Sequence, residues 1–245
     1  MDPLLTAAAS GMRARLEALD LAANNIANAG TTGFKLDRES YNLYTAPEAS
    51  DPESPAPSTL PVIERNWTDF SQGTLTETGN PLDLAISGPG FFAVNGTGST
   101  LYTRNGSFRL SAAGVVTTAD GYAVRDAGGG TIRLQPNLPF EIAPDGTVKQ
   151  AGVDAGRVAV VEFDQPQALA KFGRNYFQTA DRAAAPTPAA ASQVEQGKVE
   201  TSNVAAPESA VRLIGLMRQF EMLQKAINMD GQMARQAIEQ VAKVS

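Results

Sequence analysis

The last stretch of the sequence, residues 208–244, carries a repeat that constrains the fold more than any other feature. Apolar side chains recur at intervals of seven with a second set between them, at Leu213, Leu216, Phe220, Leu223, Ile227, Ala234, Ala237, Val241 and Val244. Residues three and four apart share one face of a helix, so this spacing predicts a long helix with an apolar row along its length. Such a helix would extend about 50 Å, farther than one small domain can cover. We therefore expect the row to need a partner helix.

The opposite end of the chain offers that partner. Apolar residues recur there at the same interval, at Leu5, Met12, Leu19 and Ile26, each of the first three followed four residues later by Ala9, Leu16 or Ala23. Two matching rows are typical of a coiled coil. The alternative is that both helices pack on the protein's own core. The chain between them has the pattern of a self-contained β domain, which favours the paired helices.

Short apolar runs separated by Asn-Gly and Asp-Gly turns fill residues 67–179 and predict a compact, mostly antiparallel β domain. The fold class predicted is therefore α+β, with paired long, coiled-coil-like N- and C-terminal helices flanking that domain. Proline-rich residues 46–61 and alanine- and proline-rich residues 182–193 are typical of linkers. The predicted segments are a helix and turn (1–35), an extended linker or intermediate region (36–66), the β domain (67–181), a linker with a short strand (182–204) and the C-terminal helix (205–245).

Composition excludes several classes of function. The 245 residues include no cysteine and no histidine, which removes disulfides, thiol nucleophiles, the usual general base and the commonest transition-metal ligands. We therefore expect no catalytic, cofactor-binding or metal site. The net charge of −6 disfavours nucleic acid and anionic membranes as partners. The sequence also lacks an apolar run long enough for membrane insertion and the basic, then apolar, pattern of a cleaved signal peptide.

Asparagine and glycine residues end the first helix. The sequence reads Asn-Asn-Ile-Ala-Asn at 24–28 and Thr-Thr-Gly-Phe-Lys at 31–35. Because Asn and Gly tolerate left-handed backbone conformations, this pattern predicts a helix stop followed by a turn. Taken alone, it requires nothing more than a helix cap.

Four motifs in order make the sequence resemble the bacterial flagellar rod and hook family. The first is the stretch at 24–35, with Asn25, Asn28, Thr32, Gly33 and Phe34 as its turn residues. The second is Gly-Asn-Pro-Leu-Asp-Leu-Ala-Ile at 79–86 followed by Gly-Pro-Gly-Phe-Phe-Ala-Val at 88–94, and the third is Tyr-Thr-Arg-Asn-Gly-Ser-Phe at 102–108. The fourth begins with Ser-Asn-Val at 202–204 and continues to Ile227.

The resemblance implies a structural axial subunit of the flagellar basal-body rod, which polymerises through its terminal helices and transmits motor torque. It implies other rod subunits and the flagellar export apparatus as partners, with no cofactor. It also implies a location in the basal body, crossing the periplasm, after type III export without a cleaved signal peptide. The residues expected to contact neighbouring subunits are the helix-row residues Leu5, Met12, Leu16, Leu19, Ile26, Leu213, Leu216, Phe220, Leu223 and Ile227. Length favours a rod protein over the longer hook protein, the proximal rod protein first and the distal rod protein second.

Two other classes of function remain at this point. One is a secreted β-domain binding module that a terminal coiled coil holds together as a small closed oligomer. The other is a hydrolase that uses carboxylates, for which the sequence shows no characteristic spacing. The four motifs favour the rod protein over both.

Overall fold

The structure of the protein is a computed structural model, and it is α+β as predicted. It describes the backbone of residues 3–45, 59–179 and 185–244, and the side chains of residues 9–40, 66–179, 185–229, 231–233, 235 and 236. The chain divides into two compact units. We name them the helical unit (Met1–Ala27, Asp37–Trp67 and Ala205–Ser245) and the β unit (Asn28–Leu36 and Thr68–Val204).

The helical unit contains both terminal helices, as the apolar repeats predicted. Helix α1 spans Pro3–Ala27 and helix α2 spans Ala206–Val244. Proline lies in the first turn of each, where its missing N–H costs no hydrogen bond. Helix α1 ends where the asparagine-rich turn was predicted to stop it.

A two-stranded sheet also belongs to the helical unit. Its strands are β1 (Asp37–Thr45) and β2 (Thr59–Thr68), which pair with each other. Part of the predicted linker 36–66 is therefore sheet instead, since β-branched and aromatic residues in both strands favour extended pairing over a loop. Residues 46–58 of the predicted proline-rich loop lie outside the described residues.

The β unit has one large sheet of short strands. The order of its main path is β14 (Leu169–Phe172), β15 (Tyr176–Thr179), β6 (Thr100–Thr103), β5 (Phe91–Asn95), β9 (Ala123–Val124), β8 (Val116–Thr117) and β7 (Arg109–Leu110). Off this path, β13 (Val160–Glu162) pairs with β5 and with β16 (Thr187–Pro188). The described pairs of this sheet are antiparallel, which confirms the predicted character of the domain.

Three smaller sheets complete the β unit. One has three strands, β10 (Phe140–Ile142), β11 (Thr147–Gln150) and β12 (Val153–Arg157). The others are antiparallel pairs that the second predicted linker supplies with strands. In them β17 (Gln193–Gln196) pairs with β4 (Leu84–Ser87), and β18 (Lys198–Glu200) pairs with β3 (Leu75–Glu77).

Strand β5 lies at the centre of the β unit and explains its continuous apolar sequence. Side chains alternate across a strand, so Phe92 and Val94 join one buried cluster while Phe91 and Ala93 join another on the opposite face. The apolar run at 158–161 forms a strand only from Val160, and that strand is half-buried. Residues 131–134 form isolated bridges, one of which joins Arg125 to Thr131.

Candidate functional site

Motifs that are far apart in the sequence meet in the β unit. The backbone N–H of Gly33 donates to the carbonyl of Glu200 at 2.8 Å. The Leu36 N–H donates to the side-chain oxygen of Asn203, also at 2.8 Å. The Asn203 side-chain amide in turn donates to the carbonyl of Asp69 at 2.8 Å. The Asn203 N–H also donates to the Phe34 carbonyl at 3.4 Å, so hydrogen bonds join the first and fourth motifs although more than 160 residues separate them.

A buried ion cluster lies at this junction. Lys35 Nζ is 2.6 Å from Glu200 Oε1, and Arg104 Nη1 is 3.2 Å from Glu200 Oε2. The side chains of Lys35 and Glu200 are 0% exposed and that of Arg104 is 4% exposed. Removing charges from water costs several kcal/mol for each ion, so this burial requires close partners on every side. We name these three residues the ionic lock.

Backbone groups accept hydrogen bonds from both cations of the ionic lock, whose two cations exceed its single anion by one charge, although Arg104 Nε is buried without a hydrogen-bond partner. Lys35 Nζ also donates to the Ser71 carbonyl at 2.6 Å. Arg104 Nη2 donates to the Gly88 carbonyl at 2.8 Å, and its guanidinium lies 5.4 Å from the centre of the Phe91 ring. Glu200 Oε1, which contacts Lys35, also accepts a hydrogen bond from the Gly73 N–H at 2.8 Å. The backbone carbonyl dipoles and the face of the Phe91 ring therefore stabilise the extra positive charge.

Burial and ion pairing act in opposite directions on the two cations. Desolvation is the larger effect and lowers the pKa of Lys35 below its ordinary value, while the neighbouring Glu200 carboxylate opposes that shift. The pKa of Arg104 is lowered for the same reason and is likewise supported by Glu200. Glu200 thus opposes the effect of burial on the pKa of both cations. The charged groups face each other and backbone carbonyls, so the lock ties chain segments together and presents no exposed charged group to a substrate.

Glycine is required where the motifs cross. Gly33 has φ of +69°, and a Cβ there would lie 2.3 Å from the Asn105 backbone nitrogen. At Gly106 a Cβ would lie 1.6 Å from the Leu84 carbonyl oxygen. We predicted that the Asn105-Gly106 pair would be a hairpin turn. Instead, Gly106 allows the third motif to pass against β4, because only a residue without a side chain fits so close to another backbone.

The remaining turn residues of the first motif in the β unit have structural contacts. The Asn28 carbonyl accepts from the Thr31 N–H at 3.0 Å, which closes the turn after α1. The Thr32 carbonyl accepts from the Asn175 side chain at 3.0 Å. Phe34 is buried, and the Lys171 ammonium lies 4.5 Å from the centre of its ring. Each residue fixes the path of the chain from the turn to Lys35.

Asn25 has a different role, within the helical unit. Its side chain is buried, donates to the Asp37 carbonyl at 2.8 Å and accepts from the Asp37 N–H at 3.0 Å. These two hydrogen bonds resemble those between the backbones of paired strands, and they attach the start of β1 to the last turn of α1. A second tie joins the other helix to β1, since Arg212 forms an ion pair with Glu39.

Helices α1 and α2 pack through only part of the predicted rows. On α2, Leu216 is buried, and the other predicted residues Leu213, Phe220, Leu223 and Ile227 are half-buried. Among the described residues of α1 the buried apolar ones are Ala14, Ala18 and Ala22. Their row lies about 120° around the helix from the centre of the predicted row, at 3.6 residues per turn. Small side chains let the two helix backbones approach closely, which the larger leucines would prevent.

The predicted residues of α1 accordingly have mixed positions. Leu19 is half-buried and packs with Leu213 against the cluster of Ala18, Ala22 and Leu216. Met12 and Ile26 are half-buried, whereas Leu16 is 47% exposed. The side chain of Leu5 lies outside the described residues.

Sequence reasoning did not single out Glu200 or Arg104. Glu200 ends a short run that alternates charged and apolar residues, a pattern that usually places the carboxylate in water. Arg104 lies within the third motif, but the sequence does not indicate which acidic residue pairs with it. The one available signal was that both lie in or beside family motifs. Among the described residues, no cluster of acidic side chains could hold a metal ion.

Comparison with known proteins assigns the motifs to a family. Three family models match: "Flagella basal body rod protein" at residues 5–35, "Flagellar hook protein FlgE/F/G D1 domain" at 85–150, and "Flagellar basal body rod FlgEFG protein C-terminal" at 195–240. Together they cover more than half of the chain.

Individual relatives agree over nearly the whole length. The flagellar basal-body rod protein FlgF of Caulobacter vibrioides is 36% identical over 93% of both chains. FlgF of Mesorhizobium japonicum is 32% identical over 90% of both. FlgG of Buchnera aphidicola from Schizaphis graminum is 31% identical over 95% of this chain and 97% of its own. Over their described residues, neither terminal helix combines the length and apolar character needed to cross a membrane. The chain belongs to the family of flagellar basal-body rod proteins and is, like its relatives, a structural subunit of the rod.

Proposed function

We propose that this rod subunit polymerises through its terminal helices and so carries motor torque along the axis. The observation that supports this most is the pattern of burial in the helical unit. Ala18 and Leu216 are buried between α1 and α2, whereas large apolar residues elsewhere on the same helices remain exposed. Exposed apolar surface of this extent is typical of a surface that another molecule covers. In the assembled rod the two helices act as a coiled-coil-like pair.

The ionic lock supports different roles for the predicted segments, a rigid one for the β domain and a subunit-contacting one for the terminal helices. The β domain (67–181) and the short strand before residue 204 are joined by buried polar contacts, which suits a rigid body. The terminal segments 1–35 and 205–245 hold the residues proposed to contact other subunits. Among these are the predicted row residues Leu5, Met12, Leu16, Leu19 and Ile26 of α1, together with Leu213, Leu216, Phe220, Leu223 and Ile227 of α2.

We further propose that the chain occupies the FlgF position in the rod, where it crosses the periplasm and contacts neighbouring axial proteins. The higher identity to the Caulobacter FlgF than to the Buchnera FlgG supports this assignment. The flagellar export apparatus delivers it, without removal of a signal peptide. Inactivating that apparatus should leave the protein in the cytoplasm. Mass spectrometry of protein from the cell envelope should find the N-terminus intact, apart from Met1.

Deleting the gene and imaging the purified basal bodies tests the assignment. We expect truncated rods and loss of motility, both restored by the wild-type chain. Basal bodies with complete rods and normal swimming would contradict the proposal.

Leu223→Asp tests the role of the helices separately. Leu223 is half-buried. Its Cδ1 lies 3.7 Å from the point that a Cβ on Gly11 of α1 would occupy, which is van der Waals distance. A carboxylate there should abolish motility because an unpaired charge in an apolar contact costs several kcal/mol. The stability of the β unit, measured by hydrogen exchange of its strands, should not change.

Gln224→Asp, at the exposed neighbouring position, is the matched control, and cells that carry it should swim normally. Loss of strand protection in Leu223→Asp would mean that the helices belong to the core of the monomer.

A further inference from the structure

Helix α2 carries four methionines whose thioethers are open to water. The exposed fraction is 50% for Met217, 62% for Met222, 59% for Met229 and 62% for Met233. On α1, in contrast, Met12 is half-buried. The chain has six methionines and no cysteine, so the thioether is its only oxidisable sulfur group. We name the four residues of α2 the exposed methionines.

The exposed methionines have a chemistry that the other exposed apolar residues of α2 lack. Val211 and Ile214 present only C–H bonds, whereas the lone pair of a thioether sulfur attacks an oxygen of hydrogen peroxide. One S–O bond forms and the O–O bond breaks, and the departing hydroxyl takes the proton of the transferred oxygen and leaves as water. Sulfur thus loses two electrons, which the peroxide gains. The product, methionine sulfoxide, is polar where the thioether was apolar.

Oxidation at these positions should leave the fold of the free subunit unchanged. At 100° per residue, Met222, Met229 and Met233 fall within about 40° of one another, on a face about 140° from the row that packs on α1. Met217 lies closer to that row but is half exposed. A sulfoxide oxygen in water finds its hydrogen-bond partners there, so it places no unpaired polar atom inside the subunit.

The added oxygen becomes costly when the surface is covered. Under the proposed function, another molecule covers the exposed apolar residues of the terminal helices once the subunit is in the rod. A polar oxygen covered without a hydrogen-bond donor is destabilising, and one such oxygen should weaken the contact by about tenfold. The same cover keeps peroxide away from subunits that are already in place. Oxidation therefore acts on a subunit before it enters the rod and not afterwards.

We infer that the exposed methionines form an oxidation site through which peroxide stops new subunits from entering the rod. The modification is reversible, because methionine sulfoxide reductases restore the thioether. In that step two thiols become a disulfide and the sulfoxide oxygen leaves as water. The inference rests on the proposed function and extends it, since it assigns a regulatory modification to side chains that assembly alone explains only as apolar surface.

Peroxide treatment of the purified full-length chain tests the chemistry. Peptide mass spectrometry should find one added oxygen at each exposed methionine before Met12 is oxidised, because oxidation follows exposure. Circular dichroism and hydrogen exchange of the strands should be the same before and after treatment. Oxidation of Met12 as fast as that of Met222, or a loss of helix content, would overturn the inference.

A leucine variant tests the consequence in cells. Met217→Leu, Met222→Leu, Met229→Leu and Met233→Leu together retain apolar volume and helix propensity but remove every exposed thioether. The matched control is Met12→Leu, which leaves the exposed methionines in place. In sublethal hydrogen peroxide, new basal bodies with complete rods should become about tenfold fewer in wild type and control, and should not decrease in the leucine variant. An equal decrease in all three strains would overturn the inference.

The wild-type chain provides a second measurement that needs no substitution. After the same treatment of cells, peptides that contain Met222 and Met229 should carry sulfoxide in the free pool of the chain and thioether in purified rods. Equal sulfoxide in free and assembled subunits would overturn the inference and leave the rod function standing. Complete rods in cells that lack the chain would instead remove the rod function itself.

Discussion

The two units of this protein bury opposite kinds of residue. The β unit encloses the charged Lys35 and Glu200 together with large aromatic side chains such as Phe92 and Phe177. The helical unit encloses small alanines and leaves Val211 and Met222 in water. The β unit pairs its buried charges with one another and with backbone groups, although Arg104 Nε has no hydrogen-bond partner. Most of the exposed large apolar residues lie in the helical unit, which is typical of a surface that another molecule covers.

Contacts in both units span most of the chain, and the units differ in what those contacts bury. The ionic lock joins residues 165 positions apart, through Lys35 and Glu200. The β unit therefore cannot close until almost the whole chain is present, because loop closure must precede the contact. The helix pair joins the two ends of the chain and has neither a buried charge nor a large described core to hold it. We expect the β unit to be the more stable of the two in the free subunit.

Removing the lock's carboxylate should destabilise the β unit more than any other single change that we propose. Glu200→Gln leaves Lys35 and Arg104 buried without their counter-ion, and breaking a buried pair in this way costs about 3–5 kcal/mol. Urea unfolding of the β unit should shift accordingly, measured by fluorescence and by hydrogen exchange of the strands. The matched control is Glu195→Gln, which breaks the partly exposed pair with Lys198 and should not change the midpoint. Equal midpoints for the two variants would show that the lock does not stabilise the β unit.

Adding one methyl group at Gly33 should have the next largest effect. Gly33→Ala combines a left-handed backbone, φ of +69°, with a Cβ placed 2.3 Å from Asn105 N. Strain and overpacking together should cost about 2–4 kcal/mol. Gly79→Ala separates the two causes, because Gly79 has φ of +70° with nothing within 4 Å of the new Cβ. It should cost about 1 kcal/mol by thermal unfolding. If both variants lost the same stability, close contact between the motifs would not be the reason for glycine at 33.

Sequence periodicity predicted the parts of the fold that depend on neighbours in the chain. The two helices, the turn after α1 and the antiparallel strands all follow from local spacing and turn residues. Periodicity was less informative where two faces of one helix competed. It selected the leucines of α1 because they are more hydrophobic, but the cluster with Leu216 of α2 contains Ala18 and Ala22, and Leu19 of the predicted row packs beside them.

The junction could be predicted only in part, for a different reason. The motif containing Gly33 was recognised as a turn from its residue types, and its local geometry followed. The lock did not follow, because nothing in the sequence states that Glu200 lies beside Lys35 and Arg104. Such a contact is decided by the path of the whole chain and becomes visible only in three dimensions.

Alkaline pH should weaken the β unit through Tyr176. Its hydroxyl donates to Asp120 at 2.6 Å and its side chain is buried. Burial, and then the bond to Asp120, raise the pKa of Tyr176 above its ordinary value. The folded state thus keeps the proton longer than the unfolded state. The resulting stability is complete below pH 10 and is lost above it by about 1.4 kcal/mol per pH unit.

Comparing wild type with Tyr176→Phe isolates that effect. Lys35 acts in the opposite direction, since its lowered pKa makes stability rise with pH below its ordinary value near 10.5, but it is present in both proteins and cancels. The difference in unfolding free energy between the two proteins should be constant from pH 7 to 9 and shrink above pH 10. A difference that stays constant to pH 11 would contradict the assignment to Tyr176.

The smallest expected effect lies within the β unit, at the turn between β11 and β12. Gln150 and Val153 face each other across the strands, so Ala151 and Gly152 form a two-residue turn, with φ of +51° and +80°. Positive φ at both positions is typical of a type I′ turn, where asparagine followed by glycine is favoured and alanine is strained. Ala151→Asn should therefore stabilise the β unit by about 0.5–1 kcal/mol in thermal unfolding. Gly152→Ala should destabilise it by about 1 kcal/mol for the converse reason. Because the strain is confined to an exposed turn, neither change should alter hydrogen exchange in α1 or α2. A stabilised Ala151→Asn variant whose helices also became better protected would mean that the two units do not unfold independently.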